Sequence, residues 1–141
     1  MFRKSLFCLV AALTFGAGLP AGAIAPLIPL DVRPTGTPGE FEVVESRAVG
    51  PSHIWCSAAY FARRQLRAGT GQRLYLAAGL GPSQIEPWRK SVVFTLMPDA
   101  ELAQAGGPEG LRSLLLTLRH PGASLSIAHA LQYCTDHLEV N

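Results

Sequence analysis

The chain has 141 residues, of which 48% are hydrophobic and 16% charged, with a formal net charge of +2 at pH 7. This length suits one domain with one core. A charge so close to neutral argues against a polybasic binder of nucleic acid or of an anionic membrane surface.

The first residues read as a secretory signal peptide. Arg3 and Lys4 form a basic start, an apolar run follows from Leu6 to Leu19, and Ala21-Gly22-Ala23 offers small residues at the cleavage positions. The run is interrupted by Gly16, Gly18 and Pro20 and falls short of the ~20 apolar residues of a membrane span. Cleavage after Ala23 removes Cys8 and both early cations. The mature chain then carries 10 basic and 10 acidic residues and two cysteines, Cys56 and Cys134. An even count in an oxidising compartment implies one disulfide, Cys56–Cys134.

Residues 24–39 contain Pro26, Pro29, Pro34 and Pro38 and read as an extended, partly disordered tether. A single domain is expected over 40–141. Phe41 to Val49 is rich in β-branched and apolar residues and reads as a strand. Gly50-Pro51 breaks it, and Ser52 is placed to cap a helix over Ser52–Leu66. At roughly 100° per residue, Ile54, Trp55, Ala58, Ala59, Phe61, Ala62 and Leu66 share one face, with His53, Ser57, Tyr60 and the arginines opposite. Cys56 falls at the margin between the two.

Arg73–Leu80 and Lys90–Leu96 alternate as strands, separated by a Gly/Pro-rich loop that carries Trp88. Trp88 is expected to lie buried over a helix end; exposed, it would be a contact residue. A helical turn is predicted at 99–104. Leu111–Arg119 reads as a fourth strand, although its leucines suit a helix equally. Ser124–Leu138 reads as a second helix with Ile127, Ala130, Leu131, Cys134 and Leu138 on one face. The alternation of Leu125, Ile127 and His129 also permits a strand at its start. The order strand, helix, three strands, helix predicts an α+β two-layer sandwich: a small antiparallel meander with both helices packed on one face.

Three constellations bear on chemistry. His53-x-x-Cys56 and Cys134-x-x-His137 contain the donors of a tetrahedral zinc site, which competes with the disulfide for the same sulfurs. An exported chain favours the disulfide. Arg63, Arg64 and Arg67, with Arg89-Lys90 further on, form a candidate anion-binding cluster, against the plainer reading of cations that complement a helix C-terminus. Histidines, serines and Asp136 are present, but none stands in a recognisable nucleophile motif, and no cofactor motif occurs. The pentapeptides Gly50-Pro51-Ser52-His53-Ile54 and Gly81-Pro82-Ser83-Gln84-Ile85 are alike and read as a repeated strand-exit turn.

The signal peptide, the Trp55-Cys56-Ser57-Ala58 helix, the run Val92-Val93-Phe94-Thr95-Leu96 and the Tyr133-Cys134 pair together resemble a group of small exported alphaproteobacterial proteins of unknown function. The similarity spans residues 41–134 and its motifs are structural, so it implies no activity and no site residues. The reading of the whole chain is a non-catalytic, disulfide-linked domain, periplasmic or secreted, that binds a partner or ligand of the cell envelope. The alternative is a small hydrolase-like enzyme using a histidine near the helix pair.

Overall fold

A computed structural model describes residues 29–46, 49–106 and 116–135. The expected leader, the start of the proline-rich segment, residues 111–115 of the expected fourth strand, and His137 lie outside the described residues.

Five strands form one antiparallel sheet: β1 (Val32–Pro34), β2 (Glu40–Val44), β3 (Arg73–Pro82), β4 (Lys90–Thr95) and β5 (Ser124–Ser126). Among the described residues three helices accompany them: α1 (Pro51–Arg64), α2 (Ala100–Ala105) and α3 (Ile127–Gln132). The α+β class is as the sequence predicts, but the strand order is β1-β2-β4-β3-β5 rather than a meander. β2 and β3 each run antiparallel to β4, so they are parallel to one another. Helix α1 carries the chain from β2 to β3 past one vacant position, and β4 returns into it. The result is a split β-α-β unit.

The sheet also begins earlier than the sequence suggests. β1 lies inside the segment read as a tether, with Val32, Arg33 and Pro34 opposite Val43, Glu42 and Phe41. Proline is tolerated there because β1 is an edge strand. The turn back into β2 uses Gly36 and Gly39, both at positive φ. The opposite edge is β5, where Leu74 faces Leu125. Ser124–Ser126, which the sequence places at the start of the second helix, are this strand, and the helix that follows is only six residues long. Ser126 caps it by accepting the His129 amide at 3.1 Å. Of the expected strand 111–119, the described part, 116–119, is not a strand. It follows β3 through a bond from the Leu80 amide to the Leu118 carbonyl at 2.8 Å.

Alternation along the strands sends Phe41, Val43, Leu74, Leu76, Val92, Phe94 and Leu125 to one face, where all are buried. There they meet Ile54, Trp55, Ala58, Ala59 and Ala62 of α1 and Ile127 and Ala130 of α3. Trp55 packs edge-on against Phe94, centroids 4.8 Å apart, and its indole N–H donates to the Thr117 carbonyl at 3.2 Å. Helix α1 starts with Pro51 in the first position and has no side-chain cap, so Ser52 does not serve as one. Ser57, expected on the polar side, is fully buried because the chain before β1 covers it and the Leu30 amide donates to its hydroxyl at 2.9 Å. Leu66, expected inside, lies past the end of the helix and is exposed.

Candidate functional site

The residues singled out by sequence fall in separate places. Cys56 and Cys134 are joined in a disulfide, with Cα atoms 5.0 Å apart. Cys56 is in α1, while Cys134 sits in the turn after α3 rather than midway along a helix. With both sulfurs in one bond, the zinc donor set is reduced to His53 and His137. Arg63, Arg64 and Arg67 gather at the C-terminal end of α1 around a shallow depression of about 420 Å³.

The hydrolase reading needs a histidine, a hydroxyl and a carboxylate in contact. The Ser57 hydroxyl donates to the His53 carbonyl at 2.9 Å and accepts the Leu30 amide, so it is bound into the fold. His129 stacks on Tyr133, whose hydroxyl lies 3.4 Å from Nε2. A groove of about 360 Å³ between α1 and the start of the described chain is lined by Pro29, Leu30, Val32, Tyr60 and Phe61 among others, with no histidine.

The most constructed feature on the surface is the connection from β3 to β4, Ser83–Arg89, which folds over the sheet face opposite the helices. Glu42, between the inward Phe41 and Val43, points to this outer face and is nevertheless fully buried. Its carboxylate accepts hydrogen bonds from the Ser83 hydroxyl at 2.6 Å, the Gln84 amide at 3.0 Å and the Ser91 hydroxyl at 2.8 Å. Burial alone pushes the Glu42 carboxyl up. The bonds from Ser83, the Gln84 amide, Ser91 and the Ile85 amide outweigh it and hold the group below its ordinary value. The Ser83 hydroxyl also accepts the Ile85 and Glu86 amides, at 3.2 and 3.0 Å, so one serine joins the loop's internal turn to the sheet. The loop closes through the Ser83 amide to the Arg89 carbonyl at 2.8 Å.

A second clamp holds the other side of the loop. Arg33 lies opposite Glu42 in the β1–β2 register and reaches Asp31 at 2.6 Å and Glu86 at 3.1 Å. Arg89 reaches the same two acids, Glu86 at 3.1 Å and Asp31 at 3.6 Å. Each pair is partly exposed and individually weak, but four alternating charges on two elements fix the loop against the edge strand. Asp31 and Glu86 hold the Arg33 guanidinium above its ordinary value, chiefly through the hydrogen bond to Asp31.

Between these clamps the loop presents Trp88 and Ile85 to solvent, 80% and 45% exposed. The expectation that Trp88 is buried over a helix end is therefore wrong. Its loop neighbours Ser83, Gln84, Glu86 and Arg89 are committed to Glu42 and to the ion pairs. The two similar pentapeptides also differ: residues 50–54 begin α1, and only residues 81–85 leave a strand. Sequence reasoning missed Glu42 altogether, since a charged residue alternating with apolar ones in a strand reads as solvent-facing.

Compared with protein-family models, curated proteins and solved structures, the chain matches none.

Proposed function

We propose that this is an exported, non-catalytic binding domain, similar to small exported alphaproteobacterial proteins of unknown function, and that it docks a protein partner through Trp88. The carrying observation is an indole 80% exposed on a loop fixed at both ends. An exposed tryptophan on a pre-ordered loop loses little conformational freedom on binding and supplies a large apolar contact. Around it, Asp31, Arg33, Glu86 and Arg89 form a rim of paired, mixed-sign charge. An aromatic centre inside a polar rim is the anatomy of a protein–protein hot spot. A rim without net charge does not attract nucleic acid or anionic lipid. Export is supported by the leader at residues 1–23 and by the Cys56–Cys134 disulfide, a bond that persists in oxidising compartments. Among the described residues no helix is long and apolar enough to cross a membrane.

The test is a photo-crosslinking amino acid placed at position 88 and, as control, at the exposed Gln104 of α2, in the protein expressed in its own cells. One discrete protease-sensitive adduct from position 88 alone is the expected result. No adduct at position 88, or the same pattern from position 104, contradicts the proposal.

A further inference from the structure

The end of α1 carries more positive charge than its fold accounts for. A helix C-terminus presents the equivalent of roughly half a negative charge, which one cation offsets. Here three guanidiniums, Arg63, Arg64 and Arg67, surround a single depression of about 420 Å³. The ion pairs among the described residues all join Arg33 or Arg89 to Asp31 or Glu86, and none reaches this cluster. Among the described residues, these three like charges are therefore held together with no carboxylate paired to them.

Each of the three is positioned. Arg63 donates to the Ala68 carbonyl at 3.1 Å, bracing the turn that ends the helix. The Arg64 guanidinium lies 5.4 Å over the Tyr60 ring, which supports the cation from one side. Arg67 adopts φ +55°, the one non-glycine residue with positive φ among those described. That position after a helix is ordinarily taken by glycine, which adopts it without strain. An arginine there costs stability, and strain of this kind, where observed, points to a role for the side chain.

We infer that Arg63, Arg64 and Arg67 form a binding site for a phosphate dianion. Three positive charges, whose one side-chain hydrogen bond among the described residues is that of Arg63 to Ala68, suit a multiply charged anion better than a single carboxylate, and the planar guanidinium fork matches phosphate oxygens two at a time. The phosphate belongs either to a soluble phosphate compound or to a lipid headgroup. This inference stands apart from the Trp88 reading, because the arginines lie at the end of a helix packed on the opposite sheet face.

The experiment follows the arginine Nε–Hε resonances of the folded mature protein. The additions are inorganic phosphate, pyrophosphate, chloride at matched ionic strength, and vesicles of phosphatidic acid or phosphatidylcholine. Saturable shifts with phosphate or pyrophosphate but not chloride identify a soluble source. Response and co-flotation confined to phosphatidic acid vesicles identify a headgroup. Either supports the site. Arg67→Gly is the decisive variant: it relieves the positive-φ strain, so its melting temperature should be unchanged or higher, while affinity falls at least tenfold. No saturable response to any phosphate form, or an Arg67→Gly protein that binds as tightly as the native one, overturns the inference.

Discussion

Replacing Glu42 by glutamine preserves the side chain's shape and removes its charge, so it isolates the clamp beneath the Trp88 loop. In the native protein Oε1 accepts from Ser83, and Oε2 accepts from the Gln84 amide and from Ser91. The glutamine oxygen can occupy the Oε2 position and keep those two bonds. Its NH₂ then faces the Ser83 oxygen, which already accepts the Ile85 and Glu86 amides. At least one of the two buried N–H groups is left without an acceptor, and the Ser83 hydroxyl loses its own. An unsatisfied buried donor costs about 1–3 kcal/mol, and the retained bonds weaken when the acceptor is no longer charged. Relief from desolvating a carboxylate offsets part of this. The expected net loss for Glu42→Gln is about 2 kcal/mol, or about 8 °C in melting temperature for a domain of this size. It should be measured by urea and thermal unfolding of both proteins across pH. The folded carboxyl lies below its ordinary value of 4.5. Its stabilisation is therefore fully present above that value and is lost as pH falls through the folded value. The gap between native and variant should stay flat from about pH 5 to 8 and narrow on further acidification. A loss below about 0.5 kcal/mol, or a gap that widens in acid, refutes the reasoning.

Reducing the Cys56–Cys134 bond, which joins residues 78 apart, should cost about 4.5 kcal/mol by loop-closure entropy, read as the shift in urea midpoint with and without reductant. Gly122→Ala should cost about 3 kcal/mol, because a Cβ there meets the Gly106 nitrogen at 2.6 Å and the Leu102 oxygen at 2.8 Å, at φ +91°. Gly36→Ala, with a similar φ of +98° and open space, should cost only about 1–2 kcal/mol, and equal losses would contradict the packing account. The exported protein should begin at Ile24 on N-terminal sequencing, and full-length chain in the envelope fraction would count against the leader assignment.

What was legible in the sequence is what local pattern determines. Helix α1 follows from its alanines and its apolar face, and β4 from the alternation of Val92 and Phe94 with their neighbours. The disulfide follows from counting cysteines once residues 1–23, read as a leader, are set aside. The short edge strands did not show. β1 contains a proline and is defined only by β2 beside it, and β5 is three residues whose alternation runs into a helical pattern at Ile127. The place of β4 between β2 and β3 depends on how far α1 carries the chain, which no local signal encodes. The clamp was hidden for a related reason. Ser83 and Ser91 are 41 and 49 residues from Glu42, and only the sheet register brings them together. Without the clamp, nothing in the sequence indicates that the loop is held so that Trp88 faces outward. The arginine cluster, in contrast, was legible because its members lie within five residues on one helix end.

The claim that Trp88 is the docking residue can be read directly from the protein's two tryptophans, Trp55 at 1% exposure and Trp88 at 80%. With 5-fluorotryptophan incorporated, fluorine NMR gives one resonance for each, and Trp88→Phe assigns them. On addition of solubilised cell-envelope protein, the Trp88 resonance should shift or broaden while that of Trp55 stays in place, and digestion of the envelope protein beforehand should abolish the effect. A Trp88 resonance that does not respond, or one that responds equally to digested material, would contradict the account.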